Sequence, residues 1–254
     1  MTTNTYAVAS AAVTVAEAGS GRPFLLLHGG AGPFSFLSFG ELLARERPAR
    51  VLTPTHPGWN GTPRPDDLTT VRGLAELYAA LLDQLDLTGV TVVGNSIGGW
   101  IAAELALLDS PRVSHVVILN GVGITVPGHP VADFFSLTPA ELTQLSYADP
   151  ERFRFDPDSL PDAQKAVLAA NRQAIALFAG TTMADPTLAA RLAAVTVPTG
   201  VLWGESDGIV DFEYGKAYAA AIPGAVHVPL PGTGHLPQLE TPQQTLEAIW
   251  DFAA

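Results

Sequence analysis

Residues 90–108 read VTVVGNSIGGWIAAELALL, and the fold turns on how this stretch is understood. The apolar, β-branched run over 90–93 predicts a buried strand. The chain then breaks at Gly94-Asn95-Ser96-Ile97-Gly98 and continues as an apolar helix from about Gly99. So abrupt a turn presses backbone against backbone, which glycine alone tolerates, and Gly94 and Gly98 flank the serine. The geometry lifts the Ser96 hydroxyl clear of the sheet edge. It also aims the Ile97 amide, at the positive end of the new helix, toward any anion forming beside Ser96. With 24 glycines and 11 serines in 254 residues, chance supplies about 0.1 matches to G-x-S-x-G, so the flanking strand and helix carry the reading. The competing reading, a glycine-rich phosphate cradle with an incidental serine, lacks any G-x-G-x-x-G or G-x-x-x-x-G-K-[ST] pattern.

The length allows one large domain with an extensive core, and the composition of 47% apolar and 15% charged residues is that of an ordinary globular protein. There is no repeat and no low-complexity segment. A net charge of −12 argues against binding nucleic acid or an anionic membrane surface. The N-terminus MTTNTYAVAS has no basic region followed by an apolar core, and no apolar run is long enough to span a membrane, so a cytoplasmic protein is expected. With no cysteine, disulfides, cysteine nucleophiles and thiolate metal sites are excluded.

Outward from the central stretch, the chain alternates strands and helices. Segments 6–9 and 13–18 predict an opening antiparallel pair. The run 24–27 predicts a strand covered on both faces, ending in the loop His28-Gly29-Gly30-Ala31-Gly32-Pro33. A helix over 36–45, a strand over 51–53, a loop holding His56, Pro57, Gly58 and Trp59, and a one-faced helix over 70–85 follow. After the central stretch comes a strand over 113–119. The alternation then stops: residues 122–185 read as a helical lid, with a Thr138-Pro139-Ala140-Glu141 capping box and a helix over 161–178. Asp185-Pro186 starts a short helix, and strands over 199–203 and 225–229 resume the sheet. Thr241-Pro242-Gln243-Gln244 announces the last helix, with the threonine as its cap. The expectation is an α/β fold with a mostly parallel, doubly wound sheet of about eight strands: a core from residues 1–121 and 186–254, and a lid from 122–185.

Ser96, Asp207 and His235 each fall at the carboxyl end of a predicted strand. A serine hydroxyl is a poor nucleophile until a base takes its proton, and histidine titrates in the useful range. A carboxylate on the far imidazole nitrogen fixes the tautomer and stabilises the imidazolium. Asp211 is the rival acid, but it directly precedes a helix and reads as its N-cap. Among the six histidines, His28 reads as pinning the glycine loop, His115 and His227 lie on strands, and His129 belongs to the lid. None makes an H-x-x-x-H or H-E-x-x-H pair, so no metal and no cofactor is expected. Trp100 reads as core.

These motifs, His28-Gly29-Gly30, Gly94-Asn95-Ser96-Ile97-Gly98, Trp203-Gly204-Glu205-Ser206-Asp207 and Gly234-His235, together resemble an α/β-hydrolase-fold enzyme of the capped kind. The resemblance implies that the amides of Gly30 and Ile97 form the oxyanion hole, with Ala31 replacing Gly30 if the loop is shifted by one residue. It also implies an acyl-enzyme mechanism on a small acyl substrate, first a carboxylic ester. Carbon–carbon hydrolysis or lactone opening by the same triad are alternatives. A non-catalytic small-ligand receptor on the same fold is the rival from another class. One departure stands out: in the loop where relatives usually carry aspartate in a D-x-P-G-x-G-like pattern, this chain has His56 ahead of Pro57-Gly58. His56 and Trp59 are candidate pocket residues, as are Phe134 and Phe135 with Leu137 in the lid. Oligomeric state is expected to be monomer or homodimer.

Overall fold

The pleat sorts the apolar residues of the central strands onto two faces, and each face finds its own helical cover. In the computed structural model, which describes residues 1–154 and 159–254, eight strands form one sheet in the order β1-β2-β4-β3-β5-β6-β7-β8. They are β1 (Thr2–Val8), β2 (Ala11–Gly19), β3 (Arg22–Leu27), β4 (Ala49–Pro54), β5 (Val90–Asn95), β6 (Val113–Leu119), β7 (Thr199–Gly204) and β8 (Val226–Leu230). Pairings β1–β2 and β2–β4 are antiparallel, and all others are parallel. Leu25, Leu27, Val92, Val116, Ile118 and Val201 face one core, which α2 (Val71–Gln84), α3 (Ile97–Leu107) and α7 (Phe212–Ala220) close. Their alternates Phe24, Leu26, Val93, Val117 and Leu202 face a second core under α1 (Phe34–Glu46) and α9 (Pro242–Phe252). Burial on both faces is why these strands read as continuous apolar runs.

From β3 the chain runs through α1 to β4 on one side, then α2 carries it back across to β5 on the other. The carboxyl ends of β3 and β5, paired at Leu27 and Gly94, therefore flank the point where strand order reverses. In an open α/β sheet that is where a crevice forms. The opening hairpin is longer than its sequence predicts because the two-residue turn at Ala9-Ser10, with Ala9 at φ 49°, carries no glycine or asparagine to announce it.

Between β6 and β7 lie α4 (Pro139–Ser146), a 3₁₀ turn at Pro150–Phe153, α5 (Asp162–Ala179), α6 (Leu188–Arg191) and a 3₁₀ turn at Leu192–Ala194. The expected lid includes residues 155–158, which lie outside the described residues. The Thr138–Glu141 capping box forms as read. Two local expectations do not hold. Asp185 makes a turn rather than starting a helix: its Oδ1 accepts from the Thr187 amide, and α6 begins at Leu188. Thr241 sits at φ −131°, ψ 59° and makes no cap, because its hydroxyl pairs with Thr233 Oγ1 at 2.9 Å. The segment leaves and rejoins the core through one pinch point, where Gly123 and Ala184 form a β-bridge and the Asp185 amide donates to Gly123 O at 2.8 Å.

Beneath that point a buried carboxylate meets a half-buried guanidinium. Glu104, 2% exposed on the otherwise apolar α3, accepts two hydrogen bonds from Arg191 at 2.6 and 2.8 Å, and Arg191 also reaches Asp185 at 2.8 Å. The hydrogen bonds to Glu104 hold the guanidinium above its already high range. Removing the cation strands a buried carboxylate, a change that typically costs about 3–5 kcal/mol. Arg191→Met should accordingly lower the urea midpoint with an unchanged slope, as read by equilibrium unfolding.

Candidate active site

Ser96 occupies φ 58°, ψ −121°, a conformation that costs a non-glycine residue on the order of 1–3 kcal/mol and must be imposed by its surroundings. The surroundings are specific. Its amide donates to Leu119 O at 3.2 Å, and its carbonyl accepts from the amides of Gly99, Trp100 and Val122. A Cβ on Gly94 would lie 2.0 Å from Gly98 O, and one on Gly98 2.0 Å from Leu27 O, so α3 starts in backbone contact with the end of β3. Ile97 is the first residue of α3, a position whose amide has no acceptor within the helix.

Asp207 and His235 meet across the ends of β7 and β8. Asp207 Oδ2 accepts from His235 Nδ1 at 2.8 Å and from Asn120 Nδ2 at 2.6 Å, while Oδ1 accepts from the amides of Ile209 and Val210 at 2.8 and 3.1 Å. Four donors converge on one carboxylate that is 5% exposed, so both of its oxygens have hydrogen-bond partners away from water. The bond from Nδ1 leaves His235 Nε2 as the nitrogen free to take a proton. Asn95, beside the serine, donates to His235 O at 2.9 Å and accepts from Gln238 at 3.1 Å. Asp211 instead caps α7 through the Tyr214 amide and pairs with His129 at 2.7 Å, so His129 is spent on that contact. Ser96 and His235 line one cavity, and among the described residues no hydrogen bond joins them.

The His28-Gly29-Gly30 loop rests on two stacked imidazoles, His28 and His56, with centroids 3.7 Å apart and both fully buried. His28 Nδ1 donates to Gly29 O at 2.7 Å, and its Nε2 accepts from the His56 amide at 3.1 Å. His56 Nε2 donates to His28 O at 2.9 Å, and its Nδ1 accepts from the Tyr78 hydroxyl. Each ring has one donor and one acceptor partner, which only the neutral form satisfies. Burial accordingly pushes His28 well below its ordinary value and His56 down to about 4. Neither His56 nor Trp59 lines the cavity, contrary to the expectation from sequence. Both are fully buried beneath the loop, and Trp59 stacks on Phe178 of α5.

The cavity above this floor has a volume of about 530 Å³ and is mostly apolar. Gly30, Ala31, Ser96, Ile97 and His235 form its base, and α4 and α5 form its walls. Among the described residues neither the Gly30 nor the Ala31 amide is engaged by another hydrogen bond, so both readings of that half of the oxyanion site stay open. Phe134 lines the cavity. Phe135 does not: it packs edge-on behind Phe134 at 5.2 Å and against the Arg172 guanidinium. Sequence reading missed Arg172, Asn171 and Tyr147, all on the lining. Arg172 sits 4.8 Å over the Phe134 ring and donates to Phe134 O, while Asn171 joins the lid to the loop after β4 through paired bonds with Asn60. Tyr147 is pushed up to about 12 by burial and by the Glu240 charge, so it stays a neutral phenol.

The neutral histidine pair sets an acid limit on stability. An unfolded histidine binds a proton below about pH 6.5, which the folded pair refuses, so stability is lost as pH falls from there toward 4. His56 alone accounts for roughly 3 kcal/mol of that loss by pH 4. Unfolding by urea between pH 4.5 and 7.5 should show this slope, and His56→Gln should flatten it.

Known proteins share this fold. The chain is 29% identical to a 2-hydroxy-6-oxo-6-phenylhexa-2,4-dienoate hydrolase from Burkholderia cepacia over 94% of its own length and 90% of that protein's. It is 28% identical to a 2-hydroxy-6-oxononadienedioate/2-hydroxy-6-oxononatrienedioate hydrolase from Cupriavidus pinatubonensis over 80% and 75% of the two chains. Among solved structures, a thermophilic esterase from Thermogutta terrifontis superposes with a TM-score of 0.77 at 24% identity, covering 99% of this chain and 98% of that one. A meta-cleavage product hydrolase from Pseudomonas fluorescens superposes at 0.76 with 19% identity, covering 98% and 96%. The sequence profile of the alpha/beta hydrolase family matches residues 24–248, and the chain belongs to that family.

Proposed function

We propose that the protein is a serine hydrolase that cleaves a small acyl compound through a covalent acyl-enzyme, with residues 122–185 as its lid. The observation that carries this reading is the Asp207–His235 pair opening onto the cavity that Ser96 also lines. Ser96 Oγ attacks the substrate carbonyl while His235 Nε2 takes its proton, and Asp207 stabilises the imidazolium through Nδ1. The oxyanion that forms is held by the Ile97 amide and by that of Gly30, or Ala31 if the loop shifts. Each such donor is typically worth on the order of a hundred- to a thousandfold in rate. Collapse expels the leaving group, which takes the proton from His235. Water, deprotonated by the same nitrogen, then releases the acid and restores Ser96.

A carboxylic ester is the first substrate class, ranked so on the breadth of ester hydrolysis among enzymes that use this triad. The second reading is hydrolysis of a carbon–carbon bond in a vinylogous diketone acid. Two observations favour it: the relatives named above are dienoate and dienedioate hydrolases, and Arg172 places a guanidinium on the cavity wall as a partner for a carboxylate.

A fluorophosphonate should add once, at Ser96, by intact mass and peptide mapping, and Ser96→Ala should take up none. Asp207→Asn should lower kcat by on the order of 10⁴ without loss of fold. Turnover of aryl esters against a 2-hydroxy-6-oxo dienoate assigns the bond. Failure of both substrates and of labelling on folded protein, with tight ligand binding retained, would replace the enzyme reading with a receptor.

A further inference from the structure

The loop that carries His235 is not held by the sheet alone. The His235 amide donates to Ser146 O, the last residue of α4, at 2.7 Å, and the amide of Gly208, next to Asp207, donates to Leu145 O at 2.8 Å. The approach is too close for side chains at these points. A Cβ on Gly234 would meet Ser146 O at 2.4 Å, and one on Gly208 would meet Leu145 O at 3.0 Å. Across the same seam lies Glu240, 6% exposed, at the end of the short helix α8 (Pro237–Glu240). Its Oε2 accepts from the Gly234 amide at 2.6 Å and its Oε1 from the Asp149 amide at 3.0 Å. One carboxylate thus holds the residue before His235 and the segment that follows α4. The same segment faces the cavity through Ser146 and Tyr147, so it is both a wall for substrate and a mount for the base.

We infer that Glu240 is a positioning residue for the proposed hydrolysis, locking the lid segment 145–149 to the loop of His235 so that the orientation of the imidazole depends on the seating of the lid. The inference rests on the reading of His235 as the general base. Main-chain restraint is well suited to the task. The side chain of His235 is fixed at Nδ1 by Asp207, its carbonyl by Asn95 and its amide by Ser146, so the remaining freedom of the loop is a tilt about Gly234, which Glu240 removes. A glutamine has the same shape but offers one acceptor oxygen, and turns a donor toward the second amide. Packing survives the exchange while one arm of the bridge is broken.

Glu240→Gln and Glu240→Asp test this, the second keeping the charge but shortening the reach so that only one amide is held. Steady-state rates with an aryl ester are divided by the number of sites that a fluorophosphonate labels at end point, and amide exchange is followed by mass spectrometry in the unliganded proteins. The expected result is a fall in kcat per site of about 10- to 100-fold with KM changed by less than about twofold, because a misaimed base slows chemistry and leaves the cavity intact. Exchange should quicken together in 231–236 and in 145–149. A folded variant with the wild-type kcat per site, a rise in KM without a fall in kcat, or faster exchange confined to 231–236 would overturn the proposal. A wild-type protein that neither labels nor turns over would sink the hydrolase reading instead, and the exchange measurement would still decide whether Glu240 couples the two segments.

Discussion

The contact between the first turn of α3 and the last residue of β3 is the constraint on which the rest of the site depends. With Gly98 lying directly on the Leu27 carbonyl, the helix can begin nowhere else, and Ser96 must take its positive φ to reach it. That single crossing sets Ser96, the helix-end amide and the glycine loop after β3 side by side. It occurs at the reversal of strand order, where the two connecting segments diverge and leave room above the sheet. The strain at Ser96 is absorbed by four hydrogen bonds on its own main chain.

Two buried polar clusters flank the cavity floor, and they solve opposite electrostatic problems. Around Asp207 the protein supplies four donors to one carboxylate, so that both of its oxygens are satisfied and one of them meets the imidazole. Beneath the glycine loop His28 and His56 are matched donor to acceptor, so no charge is admitted at all. The glycine loop after β3 therefore rests on an uncharged floor. The two ring nitrogens of His56 serve opposite needs, Nε2 donating to His28 O and Nδ1 accepting from the Tyr78 hydroxyl.

Much of this was legible in the residues. Parallel strands buried on both faces announce themselves as apolar runs, and the serine turn cannot be built without its glycines. The assignment of Asp207 over Asp211 followed from helix capping, a local rule that the structure obeys. What could not be read was long-range. Asn120 is an unremarkable polar residue until β6 and β7 pair and bring it within 2.6 Å of Asp207, 87 positions away. Arg172 and Asn171 lie on a helix whose pattern is amphipathic either way, since a cavity wall and a solvent face both accept polar residues. His56 and Trp59 were misplaced for the converse reason: polar and aromatic residues in a loop suggest contact with ligand, and only the fold reveals that the loop tucks under its neighbour.

The pinch at Gly123 and Ala184 has a bearing on how such a molecule diversifies. Because the segment between Gly123 and Ala184 departs and returns through adjoining residues, the sheet experiences it as a closed excursion whose two ends are already together. The entropic cost of lengthening such an excursion grows only with the logarithm of its length. Segments of quite different size and character can therefore be exchanged there while the sheet and its three chemical groups stay in register, so new substrate preferences can arise without renegotiating the fold.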